Sequence, residues 1–107
     1  MPELIDKDYL HFAEVFKEAM PELAVDYDTW KKKAFDGSVI DKKTTELLAL
    51  AASFAILCPY CIDSHAVKAK AHGATKEEFA AVLHIASGVR AGACMSFGLQ
   101  AFKAFKD

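Results

Sequence analysis

Cys58-Pro59-Tyr60-Cys61 is followed four residues later by His65. Two thiols at this spacing can close a disulfide within one helical turn. A histidine at i+4 from the second thiol lies on the same helical face and can take its proton. A thiol is inert until it ionises, and its usual pKa of about 8.5 falls at a helix N-terminus or beside a base. Cys58 gains the first advantage where a helix starts, and Cys61 gains the second through His65. The pair is therefore asymmetric, with one sulfur to attack and one to resolve. The bland alternative is two small buried apolar residues, against which the spacing and the histidine favour redox chemistry.

Metal binding is the next rival, since Cys58, Cys61, His65 and His72 are all zinc-competent. His72 lies nearly two turns beyond His65 on the same helix, so these four cannot close one tetrahedron without unwinding it. Neither a resident metal nor a cofactor is expected. Cys94, among Ala93, Met95 and Phe97, reads as a buried core or interface thiol. His84, between Leu83 and Ile85, reads as a satisfied core histidine, and His11 as a surface residue.

Glu46 is the acidic residue nearest the apolar run that leads into the motif. A carboxylate on a buried helix is costly unless paired, and His65 is its natural partner. The alternative is a solvated Glu46 in the first turns of its helix. Register argues against easy pairing: Glu46 stands about 17 Å of helix before Leu57, and His65 only about 10 Å after it. A straight antiparallel hairpin leaves the two about a turn apart.

The elements that carry these residues read as helices throughout. A first is predicted from about Asp8 to Ala19, ended by Met20-Pro21. A second runs from Asp28, as cap, to Phe35, stopped by Asp36-Gly37. A third runs from the cap Asp41 toward Ile56, with the apolar stretch Leu47–Leu57 buried nearly all round. The fourth has Cys58 at the N-cap, Pro59 at the first position and Gly73 just past the end at His72. The fifth opens on the capping box Thr75-Lys76-Glu77-Glu78 and weakens at Gly88. A sixth spans Val89 to Phe105, and its small residues allow close approach of another helix.

The 107 residues make one all-α domain with a net charge of −2. Near-balanced charge points to neither nucleic acid nor a membrane surface as partner. The run Lys31-Lys32-Lys33 reads as a solvated face. An apolar share of 53% is high for a short chain with a limited interior, and a subunit interface is where the excess can go. No basic, apolar leader is visible at the N-terminus, and Leu47–Ile62 is too short to span a bilayer. A cytoplasmic setting is expected, where a close cysteine pair reads as redox or metal chemistry rather than a structural framework.

The tetrapeptide Cys58-Pro59-Tyr60-Cys61 resembles a glutaredoxin active site. That fold needs a strand before the motif and a proline loop after it. The preceding run is alanine-rich and helical in length, and the prolines stand only at 2, 21 and 59. The wider pattern Glu46…Cys58-x-x-Cys61-x-x-x-His65, with Ala66, Ala69, Gly73-Ala74-Thr75 and Glu77-Glu78 behind it, resembles the carboxymuconolactone decarboxylase family in its alkyl hydroperoxidase D-like branch. The resemblance covers about Asp36 to Phe105. It implies an all-helical fold and a homotrimer or homohexamer. It also implies a dithiol peroxidase: Cys61 meets a hydroperoxide and becomes a sulfenic acid, Cys58 resolves it to a disulfide, Glu46 and His65 relay the proton, and a dithiol reductant restores the pair. The branch's namesake carries a histidine just before its second cysteine, where this chain has Tyr60, so the relay has one member fewer. The decarboxylating branch lacks the dithiol. Two other classes stay open: a non-catalytic redox-sensing or metal-binding oligomer, and a lactone-acting enzyme on the same fold.

Overall fold

Five α-helices and a terminal 3₁₀ helix follow one another along the chain. They are α1 (Tyr9–Ala19), α2 (Pro21–Ala34), α3 (Lys42–Ala55), α4 (Pro59–Ala71), α5 (Lys76–Gly98) and the 3₁₀ turn Leu99–Phe105. These come from a computed structural model, which describes residues 6–106. The all-α class expected from the sequence is the one observed.

Local chemistry explains most of the boundaries. Asp41 Oδ1 accepts the Thr44 N–H at 2.9 Å and opens α3. Cys58 Sγ accepts the Cys61 N–H at 3.2 Å and opens α4, with Pro59 at its first position. At α5 both halves of the capping box form: Glu78 N–H to Thr75 Oγ1 at 3.1 Å, and Thr75 N–H to Glu78 Oε1 at 2.9 Å. Lys43 Nζ reaches Glu78 Oε2 at 2.9 Å and ties α3 to that cap.

Two boundaries differ from expectation. The second helix starts at Pro21 rather than Asp28, because a proline that ends one helix is also well suited to the first position of the next. The expected break at Gly88 does not occur, and α5 runs through it to Gly98. One glycine costs about 1 kcal/mol in a helix, less than the surrounding residues supply.

The interior is thin. Among the described residues Leu50, Ala69 and Ala86, one each from α3, α4 and α5, are the buried apolar ones, and α3 packs on both α4 and α5. The run Leu47–Leu57 is not buried all round: Leu48, Ile56 and Leu57 are exposed, and only one side of α3 faces α4 and α5. His84 and Cys94 are likewise exposed rather than in the core. Helices α1 and α2 bury no residue and pack chiefly on each other. The helical segment Lys76–Phe105 is long and apolar enough, by length and composition alone, to cross a membrane, and little of its most apolar stretch is buried.

The chain turns from α3 into α4 through a Schellman motif. Leu57 N–H bonds to Phe54 O at 3.1 Å and Cys58 N–H to Ser53 O at 3.1 Å. Leu57 therefore occupies the left-handed position, φ 57°, normally filled by glycine. The same motif ends α4 with Gly73 in that place, φ 93°. A left-handed non-glycine residue costs roughly 1–2 kcal/mol. Leu57→Gly should therefore raise the urea midpoint, with a gain in unfolding free energy of about 0.5–1 kcal/mol after the extra unfolded-state entropy of glycine. A fall in the midpoint would show that the leucine side chain is worth more than the strain.

Two of the helix starts predict an acid sensitivity. The Lys43 ammonium and the Thr75 amide hold the Glu78 carboxyl below its ordinary value, and the Thr44 amide and hydroxyl do the same for Asp41. A depressed folded-state pKa contributes stability that is present above the unfolded value and lost as pH falls through the folded one. Stability should therefore decline as pH drops below the ordinary carboxylate range of about 3.9–4.3. Urea titrations of Asp41→Asn and Glu78→Gln should show a flatter decline, and curves parallel to wild type would contradict these assignments.

Candidate active site

On α3, Lys42 and Glu46 are one turn apart on one face. Glu46 is 1% exposed, although it sits only a turn inside the helix start. Its carboxylate is fully engaged: Oε1 stands 3.5 Å from Lys42 Nζ and Oε2 stands 2.8 Å from His65 Nδ1. The solvated alternative for Glu46 is thereby set aside. The register problem is solved in the connection, where left-handed Leu57 and extended Cys58 replace a straight hairpin. Lys42 Nζ also donates to Phe35 O, which fastens the end of α2 to the start of α3.

His65 is partly buried and lies parallel to Phe35, with ring centroids 5.7 Å apart and planes inclined by 9°. An ionised carboxylate can only accept, so Nδ1 donates the hydrogen of this bond, and in the neutral imidazole that leaves Nε2 as the nitrogen with the lone pair. Glu46 thus orients the ring and selects the tautomer of the neutral imidazole. Phe35 holds the other dimension by stacking.

Cys58 and Cys61 are joined as a disulfide, with Cα atoms 5.3 Å apart, and Cys94 is free. The hydrogen bonds of the described residues join His65 to Glu46 and to neither sulfur. A disulfide has no thiol proton to offer, so this is the resting arrangement of the oxidised form. His65 follows Cys61 by one turn of α4. Among the described residues, no three of His, Cys, Asp and Glu are grouped to hold a metal ion, and His72 is the exposed cap of α4.

Tyr60, between the cysteines, is half exposed, and its ring centroid is 5.8 Å from that of Tyr9 on α1. Hydrogen bonding with the Tyr9 phenol, and the charge it would carry, push the Tyr60 hydroxyl above its ordinary value. Near neutral pH this phenol is a donor and not a base. At the other end of the turn, Arg90 of α5 donates from Nη1 to Ala55 O and so braces the last carbonyls of α3.

Glu46, Cys58, Cys61 and His65, the four residues singled out in the sequence, are thus gathered on two adjacent helices. Lys42, Phe35, Tyr9 and Arg90 carried no part in that reading. Lys42 had a legible signal, standing at i−4 from Glu46. Phe35, Tyr9 and Arg90 are brought in by tertiary packing, for which spacing gives no sign.

Comparison with known proteins agrees with this geometry. Residues 21–104 match the carboxymuconolactone decarboxylase family. An uncharacterized protein of Haemophilus influenzae is 37% identical over 94 residues, covering 88% of this chain and 82% of that one. An uncharacterized protein of the cox locus of Paracoccus denitrificans is 37% identical over 62 residues, and the match spans 58% of this chain and just 56% of that protein. A crystal structure of a protein from Methanobacterium thermoautotrophicum superposes with a TM-score of 0.74 at 28% identity, over 81% of this chain and 98% of that one. A carboxymuconolactone decarboxylase family protein from Legionella pneumophila gives 0.70 at 32% identity, over 94% and 89%. The helical fold, the paired cysteines at the start of α4 and the extent of these matches together place the chain in the carboxymuconolactone decarboxylase family.

Proposed function

We propose that the protein is a thiol-dependent oxidoreductase that reduces a hydroperoxide or small disulfide through Cys58 and Cys61. The observation that carries this is the buried Glu46–His65 pair, 2.8 Å apart, one helical turn from a cysteine pair that is already joined. Support for the division of labour comes from the resemblance described above. His65 Nε2 takes the Cys61 proton, and the thiolate attacks the terminal oxygen of the hydroperoxide. The O–O bond breaks, Cys61 becomes a sulfenic acid, and the departing alkoxide takes the proton from His65 to leave as an alcohol. The Cys58 thiol then displaces water from the sulfenic acid and the disulfide forms. A dithiol reductant exchanges with the disulfide, leaves oxidised and restores both thiols.

Peroxide consumption in the presence of dithiothreitol or dihydrolipoamide tests this reading. Wild type should turn over many times. Cys61→Ser should be inactive, and Cys58→Ser treated with peroxide in the absence of dithiol should stop after one equivalent with a sulfenic acid trappable on Cys61. Oxidation of wild type for one equivalent without turnover would make the dithiol a sensor. An unchanged rate in Cys61→Ser would end the proposal.

The same reading includes a homo-oligomer, a trimer or hexamer, in a reducing cytoplasmic compartment. The accessible surface is 8854 Å², against about 5,900 Å² for a folded monomer of 11.7 kDa. The radius of gyration is 18.6 Å, against about 13 Å for a compact chain of this length. The excess is the size of an obligate interface, about 2,000–5,000 Å². Much of it lies on α5, where Val89, Met95 and Phe97 are exposed among small residues that permit close helix approach. Light scattering at micromolar concentration should give a mass of at least three chains, and a stable monomer would refute this part.

A further inference from the structure

A cavity of about 210 Å³ opens beside the imidazole, floored by His65 and Phe35 and rimmed by Lys31, Lys32 and Lys68. It is smaller than the roughly 300–1,000 Å³ of drug-sized pockets, so it suits a small molecule. Its charge is one-sided. Glu46 at its edge is already paired with His65 and Lys42. That leaves Asp28 as the carboxylate facing three ammonium groups. Lys31 Nζ also sits 5.8 Å from the centre of the Tyr27 ring, a cation–π contact. The run Lys31-Lys32-Lys33, read from the sequence as a solvated face, therefore divides: Lys33 lines a different hollow, and the other two border the candidate site.

The positions on α4 give the cavity a direction. Cys61, His65 and Lys68 stand at i, i+4 and i+7, along one face of the helix. Sulfur, base and ammonium thus follow one another over about 10 Å of axis.

From the cavity and this alignment we propose that the substrate is anionic: a small carboxylate-bearing hydroperoxide or disulfide, its carboxylate held by Lys31, Lys32 and Lys68, its apolar body against Phe35, and its reactive end toward Cys61. The proposal rests on the thiol oxidoreductase reading for the reaction, and on the cavity alone for the binding.

The test therefore separates binding from turnover. Benzoate and benzyl alcohol, alike in size and different in charge, are titrated while the amide resonances of Phe35, His65 and Lys68 are followed. Benzoate should bind about tenfold more tightly, the combined effect of three screened ion pairs. Salt near 1 M, where the Debye length is about 3 Å, should largely abolish the preference. Lys31→Gln, Lys32→Gln and Lys68→Gln combined should abolish it too, Asp28→Asn should strengthen it, and Lys33→Gln, an equal change of net charge outside the cavity, should leave it intact. The kinetic arm compares cumene hydroperoxide with its para-carboxylate, and kcat/KM should favour the carboxylate by a similar factor in wild type but not in the triple variant. Equal binding of the two probes, or a preference that survives in the triple variant, would overturn the proposal. Benzoate binding without consumption of either peroxide would uphold the anion site and remove the peroxidase reading. Consumption of both peroxides at equal rates, with no preference for benzoate, would do the reverse.

Discussion

His65→Ala is expected to lower peroxide turnover by about 100- to 10,000-fold, the usual worth of a positioned general acid–base. Two functions are lost together, the acceptance of the Cys61 proton and its return to the alkoxide. Glu46→Gln should cost less, about 10- to 100-fold, because it leaves the imidazole in place and removes what orients it. The distinguishing measurement is iodoacetamide alkylation of Cys61 against pH, in a Cys58→Ser, Cys94→Ser background. Both variants should shift the profile toward higher pH, His65→Ala further. Because Glu46 is buried and His65 is one of its two partners, thermal unfolding should accompany each assay. His65→Gln keeps a hydrogen-bond donor near the carboxylate and should recover stability without recovering rate. A profile unchanged in both variants would reduce the histidine to a structural role and leave the helix start as the sole activator of the sulfurs.

Leu50→Ala is expected to have the largest effect on stability. Leu50 is 0% exposed, at the centre of the helix that packs on both α4 and α5. Deleting such a side chain costs roughly 2.7–5.0 kcal/mol through lost transfer energy and the cavity left behind. Whole domains retain just about 5–15 kcal/mol. Among the described residues Ala69 and Ala86 are the other buried apolar residues, so Leu50 is the largest apolar side chain of this interior. A loss of less than about 1 kcal/mol of unfolding free energy in chemical denaturation would mean that the stability resides elsewhere, in contacts between copies of the chain.

Much of the fold was legible because helix ends are written in local chemistry. Asp41, Cys58-Pro59, Thr75…Glu78 and Gly73 each act within four residues of themselves, and each stands where the sequence put it. Met20-Pro21 was half legible: the stop was read and the start was not. Burial was the least legible property. Periodicity marks Leu47–Leu57 as apolar, but it does not say whether its own chain or another copy covers Leu48 and Ile56. At the site, Cys61 and His65 could be aligned by counting because they share a helix. Glu46 and His65 lie on different helices, and their meeting depends on a turn whose geometry rests on one left-handed leucine.

Cys58 Sγ is the acceptor that closes the first turn of α4. The same atom is one half of the redox pair, so the fraying of this helix and the chemical state of one sulfur form a single linked equilibrium. A thiolate accepts the Cys61 N–H more strongly than a disulfide sulfur does, since charge-assisted bonds are about twice as strong. The positive end of the helix adds to the difference. Ionisation of Cys58 after reduction therefore tightens the helix start, and the tightening in turn favours the thiolate. The protein carries an internal reporter of the state of this sulfur: the Cys61 amide should be better protected from solvent exchange in the Cys58 thiolate than in the disulfide.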